Sequence, residues 1–267
     1  TVTVNAGSAA TVTTTTAGTD GKMTINGGAS TATATAIADT IDITLSKDAA
    51  TANIDGVTAS AAAASVEIGK SATIANGAAE AVKTLDVSSS FAETTTGTTT
   101  TTATATLTTA AATSYTFSGS NNVILAGASA SFDGKVVTDN STATSTLKFN
   151  TIASGDFSKN AVDAFDIAAA TGGAVSVSFN DNANVTLSAD TTGGTLTIDA
   201  DDDGATSYLK GTLNLTLGVA DIDANEVIID NSGTTDDGYD TVNLTVSVAQ
   251  DAAGLDLRAG TAAVTAA

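Results

Sequence analysis

The sequence predicts an all-β protein, an irregular β-solenoid or stacked β-sandwich of elongated form. Three observations predict it. Apolar residues alternate with Thr, Ser, Asn or Asp at period two along most of the chain, about one residue in five is threonine, and Gly, Asn, Asp or Ser bound each alternating run. Period-two alternation sorts side chains onto the two faces of an extended ribbon. Threonine is β-branched and stiff at χ1, which favours strand over helix.

The elements follow in order. TVTVN (1–5), KMTIN (22–26), TIDITL (40–45) and VKTLDVS (82–88) alternate cleanly. The stretch TTTGTTTTTATATLTTAAATSYTF (94–117) contains no Pro and one glycine, Gly97, so it reads neither as a Pro-bearing stalk nor as a Gly/Ser linker. Its second half predicts strands at 104–109 and 114–118, whereas 94–101 competes with a disordered Thr tract. NVILA (122–126), STLKFN (145–150), AVSVSFN (174–180), NVTLSAD (184–190), GTLTIDA (194–200), GTLNLTLG (211–218), NEVIID (225–230) and DTVNLTVSVA (240–249) continue the pattern. One segment, IANGAAEAVKTL (74–85), offers a short helix in competition with strand.

From Val162 the apolar pairs Val175/Val177, Val185/Leu187, Leu196/Ile198, Leu213/Leu215, Val227/Ile229, Val242/Leu244 and Leu255/Leu257 recur at steps of about 10 to 17 residues. Such steps suit stacked solenoid coils or short antiparallel sandwich strands. Small inward residues (Ala, Thr, Val) favour a narrow solenoid core. Composition divides the chain into an N-terminal β region (1–92), a Thr-rich middle β region (93–150) and an acidic C-terminal β region (151–267).

Nine Lys and Arg stand against 29 acids, a formal net charge of −20. Nucleic-acid binding is not expected, because phosphate neutralisation needs clustered cations. The charge is lopsided: 18 acids and three bases follow Gly155, against 11 acids and six bases before it. No apolar run reaches the length of a membrane-spanning helix. With no initiating Met and no signal-like start, the sequence reads as a mature, processed chain or a piece of a longer one.

His and Cys are absent, which excludes a Ser-His-Asp triad, a thiol nucleophile and a zinc site of the usual ligands. Trp is absent and aromatics total 4%, so the stacking platforms of a sugar-processing cleft are missing, and no phosphate-binding glycine loop occurs. An enzyme is not expected.

The most specific local motif is DADDDGATSYLK (199–210). Asp199, Asp201 and Asp203 alternate before Gly204, and the carbonyl of Ala205 and hydroxyl of Ser207 extend the ligand set. A hard cation such as Ca²⁺ takes six to eight oxygens, and the glycine allows the turn that folds the carboxylates inward. Lys210 stands where an EF-hand carries its bidentate Glu, so the pattern is that of a helix-free loop; the competing reading is a solvated acidic turn. DIDANE (221–226) and DNSGTTDDGYD (230–240) add further acids, with Asp230, Asp236, Asp237 and Asp240 placed to clip adjacent turns through a cation. Four N-x-S/T sequons begin at Asn140, Asn184, Asn214 and Asn243, in a chain rich enough in Thr and Asn to produce them by chance.

The phrases AAEAVKTLDVSSS (78–90), GTLNLTLGVADIDANEVIIDNSG (211–233) and DGYDTVNLTVSVAQDAAGLDLRAG (237–260) resemble prokaryotic surface-layer proteins, in the style of the calcium-dependent, β-rich RTX-type exoproteins. The chain carries no G-G-x-G-x-D nonapeptide, so composition and phrasing carry the likeness. The resemblance implies an extracellular structural protein that self-assembles on the cell surface, with Ca²⁺ bridging acidic loops, itself as principal partner and cell-surface polysaccharide as a second. Two other readings are a filament or pilus subunit assembled by β-strand addition and a Thr-ladder ice-binding or adhesin module. The last needs T-x-T rows to align at equal coil spacing, and along the chain TVT (1–3, 11–13), TATATA (31–36) and TATAT (102–106) are irregularly spaced.

Overall fold

The computed structural model describes residues 2–5, 11–16, 22–26, 31–36, 40–45, 50–56, 63–68, 71–76, 83–90, 93–95, 98–100, 102–108, 112–169, 172–189, 194–199, 211–218, 227–230, 239–248, 255–258 and 263–266. The chain divides into two compact units, one of Thr1–Gly127 with Val136–Thr146, the other of Ala128–Lys135 with Leu147–Ala267.

The first unit begins with β1 (Val2–Asn5), β2 (Thr11–Thr16), β3 (Lys22–Asn26), β4 (Thr31–Ala36), β5 (Thr40–Leu45), β6 (Ala50–Gly56), β7 (Ala63–Ile68) and β8 (Ser71–Asn76). It continues with β9 (Thr84–Ser89), β10 (Glu93–Thr95), β11 (Thr98–Thr100), β12 (Thr102–Leu107), β13 (Ser114–Gly119), β14 (Asn122–Ala128) and β15 (Val136–Asp139). Two parallel sheets result, in the orders β1-β3-β5-β7-β9-β13-β15 and β2-β4-β6-β8-β12-β14, and β10 and β11 form an antiparallel hairpin.

Parallel neighbours need a long connection, and here the strand of the opposite sheet supplies it. The chain travels along one sheet, turns, travels along the other, and returns to stack on its own previous pass. The order is solenoid-like. Pairing is nearly all parallel among the described strands, the β10–β11 hairpin being antiparallel, so a sandwich of short antiparallel strands is not what forms.

Alternation persists because each sheet keeps one face wet. In β12, Ala103, Ala105 and Leu107 are buried while Thr102, Thr104 and Thr106 are partly exposed; in β13, Tyr115 and Phe117 are buried. Fully covered parallel sheets usually read as continuous apolar runs; a sheet wrapped as coils does not. The corner after β13 needs a glycine: Gly119 has φ 101° and lies so close to the preceding coil that a Cβ would stand 2.3 Å from the Ser89 carbonyl oxygen. That carbonyl accepts the N–H groups of Ser120 and Asn121, both at 2.9 Å.

The second unit opens with a 3-10 turn at Ser129–Ser131 and resumes at Leu147 within β16 (Ser145–Thr151), followed by β17 (Gly155–Phe157), β18 (Ala164–Ile167), β19 (Ala174–Phe179), β20 (Asn184–Leu187) and β21 (Thr195–Asp199). β22 (Thr212–Leu217), β23 (Val227–Asp230), β24 (Thr241–Val246), β25 (Leu255–Arg258) and β26 (Ala263–Ala266) complete it. The orders β16-β18-β20-β22-β24-β26 and β17-β19-β21-β23-β25 repeat the alternation.

An aromatic stack fills the start of this unit. Phe149 lies 4.7 Å from Phe157, 6.0 Å from Phe132 and 6.2 Å from Phe165 between ring centroids, and Phe165 lies 4.6 Å from Phe179. All five rings are buried. Tilted pairs at these separations add about 0.5–1.5 kcal/mol each beyond the area they remove from water. Further along, the core is aliphatic, with Val185, Leu187, Leu196, Ile198, Leu213, Leu215 and Val227 excluded from solvent.

Two sequence expectations resolve here. The 74–85 segment begins and ends as strand: β8 takes it to Asn76 and β9 takes it up from Thr84, the β-branched Thr73, Ile74 and Thr84 joining the sheets, while residues 77–82 lie outside the described residues. Along the Thr tract at 94–101, Glu93–Thr95 and Thr98–Thr100 form the paired strands β10 and β11, and residues 96, 97 and 101 lie outside the described residues.

Candidate functional site

Of the acidic residues singled out in the sequence, Asp199 and Asp230 are strand ends in one sheet of the second unit. β21 ends at Asp199, and the DADDDG segment follows directly. β23 ends at Asp230, and the second acidic segment follows it. The two strands are parallel neighbours, and their register pairs Asp199 with Asp230. One strand further, Asp230 is the register partner of Arg258, the last residue of β25 and the only arginine in the chain. Residues 31 positions apart in sequence therefore stand one strand spacing apart, about 4.7–4.9 Å, and both acidic segments leave from that same row.

The Asp199 side chain is half-buried, and the Ser176 hydroxyl of β19 donates to its Oδ2 at 3.5 Å. Asp240 is exposed and follows Tyr239, whose ring is fully buried. Burial, with the charge of Asp181 added, pushes the Tyr239 phenol well above its ordinary range. Tyr239 thus anchors the approach to β24 at the end of the second acidic segment. Asp201, Asp203, Ala205, Ser207, Asp236 and Asp237 lie outside the described residues. Among the described residues, no group of three or more Asp, Glu, His or Cys is gathered as for a metal ion. The register thus joins Asp199 to Asp230 and places Arg258 beside them; nothing described brings Asp240 to that row.

A related carboxylate sits lower on the same sheet. Asp156 is the register partner of Ser178 and accepts from its hydroxyl at 3.2 Å and from the Ser158 N–H at 2.8 Å. Partial burial raises its pKa, but the Ser158 and Ser178 hydrogen bonds and the Lys159 charge outweigh that, and the group lies below its ordinary value.

Two arrangements were not visible as such in the sequence. The first is an asparagine ladder on the other sheet. Asn184, Asn214 and Asn243 are successive register partners on β20, β22 and β24. Asn214 Nδ2 donates to Asn184 Oδ1 and Asn243 Nδ2 donates to Asn214 Oδ1, each at 2.8 Å. Asn184 Nδ2 in turn donates to the Asp163 carbonyl at 2.8 Å. The signal was present as three N-[VL]-T phrases, but it read as sequons.

The second is a threonine row in the first unit. Thr11, Thr31, Thr51, Thr73 and Thr106 are successive register partners across β2, β4, β6, β8 and β12. Thr13 and Thr33 pair beside them, followed by Asn53. The unequal spacing along the chain does not prevent alignment, because connections of different length absorb the difference.

Comparison with family models, with curated proteins and with solved structures gives no match to this chain.

Proposed function

We propose that the chain is an extracellular structural protein of a self-assembling surface layer, built as an irregular, elongated β-solenoid, in which Ca²⁺ bridges its acidic segments. The observation that carries the calcium part is the Asp199–Asp230 register. Unneutralised carboxylates on adjacent parallel strands repel, and two further acidic segments follow these strand ends. Asp199 and Asp230 supply up to four carboxylate oxygens. Asp201, Asp203, the Ala205 carbonyl and Ser207 would complete the first segment's share; Asp236, Asp237 and Asp240 would serve the second. Bound there, a divalent cation supplies charge neutralisation and a cross-link between successive coils. Arg258 takes the next register position after Asp230.

The structural role is supported by the ladders. Identical residues stacked at strand spacing, as in the asparagine rungs, make each coil a template for the next and give cohesion along the stack. Assembly of such coils into a filament by strand addition is the variant in which a sheet edge, rather than an ion, makes the joint.

Negative-stain microscopy of the protein with Ca²⁺ and with EDTA tests the proposal. Ordered sheets that dissolve on chelation are expected, and the double variant Asp201→Ala/Asp203→Ala should lower the melting temperature only when Ca²⁺ is present. Assembly indifferent to chelator removes the calcium part; lone particles under all conditions remove the layer.

A second reading is favoured by the threonine row. Hydroxyl-bearing residues repeating at about 4.7–4.9 Å across five strands form a regular array suited to an ordered ligand, as in an ice-binding or adhesin module. Thermal hysteresis without assembly would select it over the layer.

A further inference from the structure

The four N-x-S/T asparagines are of two structural kinds. Three are ladder rungs. The side-chain nitrogens of Asn184, Asn214 and Asn243 are each donated to an oxygen on the neighbouring coil, to Asp163 O, Asn184 Oδ1 and Asn214 Oδ1 respectively. Their strands are held by parallel neighbours, β20 between β18 and β22, β22 between β20 and β24, and β24 between β22 and β26. Asn184 is exposed and Asn214 and Asn243 are half-buried, so engagement rather than burial sets these three apart: to present any of the nitrogens to an enzyme, its ladder bond must break.

Asn140 is different. It lies in the connection 140–144 between β15 and β16 and is exposed. The fold uses its backbone, whose N–H donates to Phe117 O at 2.9 Å. The turn around it is built independently of its side chain. Asp139 accepts from the Ser141 N–H at 2.8 Å and from the Ser145 hydroxyl at 2.6 Å, and the Ser141 hydroxyl donates to Ala143 O at 2.6 Å. Thr142, which completes the sequon, is exposed; its hydroxyl meets Gly119 O only at 3.4 Å, the long end for a hydrogen bond. The sequon is therefore displayed on a fixed turn, with its acceptor amide and its hydroxyl both on the surface.

We propose that Asn140 is an N-glycosylation acceptor and that, in the folded chain, the other three sequons are not. The sugar is a hexose carried by a nucleoside diphosphate. Asn140 Nδ2 attacks the anomeric carbon and forms the C–N bond. The bond from that carbon to the diphosphate oxygen breaks, the nucleoside diphosphate departs with the electron pair, and one amide proton passes to a base of the transferase. Nothing is oxidised or reduced. The modification adds a neutral, solvated group at a turn where it disturbs no ladder, and it is independent of the surface-layer reading.

The chain's own lysines make the test direct. Cleavage after Lys and Arg isolates Asn140 in peptide 136–148, Asn184 in 160–210, and Asn214 with Asn243 in 211–258. Folded and urea-unfolded protein are treated with a soluble N-glycosyltransferase that reads N-x-S/T, using UDP-glucose, and the peptides are weighed after digestion. The folded chain should gain one hexose, on 136–148 alone, and the unfolded chain should gain hexose on all three peptides. Asn140→Gln should abolish modification of the folded chain and leave its melting temperature unchanged. Hexose on 160–210 or 211–258 of the folded chain overturns the proposal. So does a folded chain bare at 136–148 when the unfolded chain is modified there.

Discussion

Asn214 Nδ2 donates to Asn184 Oδ1 at 2.8 Å, one coil away and in parallel register. Asn214 also accepts from Asn243 Nδ2 at 2.8 Å, so the middle rung makes two side-chain bonds and each outer rung depends on it. Asn214→Ala removes both and leaves Asn184 Oδ1 and Asn243 Nδ2 to find water. A typical side-chain hydrogen bond contributes about 0.5–1.5 kcal/mol, so the expected loss is about 1–3 kcal/mol. Thermal denaturation with the Asn243→Ala and double variants checks the ladder. The double variant should lose less than the sum of the singles, because both remove the same Asn214–Asn243 bond.

The phenylalanine stack makes a larger claim on stability. Phe149 sits among Phe132, Phe157 and Phe165, with each centroid within 6.2 Å. Phe149→Ala should cost about 3–5 kcal/mol, the range for aromatic truncation in a core that relaxes only in part. Phe149→Leu should recover much of it. The denaturant midpoint should fall with little change in slope, since the surface exposed on unfolding stays nearly the same.

Gly119 tests the stacking of coils rather than the core. At φ 101° an L side chain is strained, and a Cβ would approach the Ser89 carbonyl oxygen to 2.3 Å. Gly119→Ala should therefore destabilise the first unit by at least about 1–3 kcal/mol. Hydrogen exchange offers a local readout, because the Ser120 and Asn121 amides that share the Ser89 carbonyl should lose protection first. Equal loss across both units would mean that the residue does not act through this corner.

These positions show what could be read from the sequence and what could not. Strands with Val, Leu or Ile alternating against Thr or Asn, such as β20, β22 and β24, were visible because hydropathy contrast marks their faces. β6, β7, β15, β17, β18 and β26 carried weak or very short contrast; the alanine-rich start of β7 hides a strand that pairs with both β5 and β9. Alternation is also ambiguous in direction: it identifies a half-wet sheet but not whether its strands run parallel. The acidic motifs were evident separately, yet the adjacency of Asp199 and Asp230 depends on which coil stacks on which, and no local pattern encodes that. The threonine row was hidden for the same reason. Intervals of 20 from Thr11 to Thr31 and from Thr31 to Thr51, then 22 to Thr73 and 33 to Thr106, obscure a register that the backbone keeps.

The buried tyrosines predict how the fold fails in alkali. Tyr115 is enclosed in the first unit, with the Ala112 N–H donating to its Oη at 3.1 Å. Burial opposes the phenolate, the Ala112 hydrogen bond offsets only part of that, and the pKa is pushed up from 10.0 to about 12. An unfolded chain releases this proton near pH 10, while the folded chain holds it until about pH 12. Between those values the folded state binds more protons than the unfolded state, so stability must fall as pH rises. The slope is about 1.4 kcal/mol per pH unit for a single tyrosine. Tyr239 is raised in the same direction by burial and by Asp181, and adds to the loss. Stability should thus be insensitive to these groups below pH 10 and decline above it. Tyr115→Phe should make the decline shallower, because no phenol then needs to ionise at that position. Urea denaturation at intervals from pH 9 to pH 12, read beside tyrosinate absorbance, measures both. A variant that follows the parent's decline through this window would show that Tyr115 ionises as easily in the folded chain as in water.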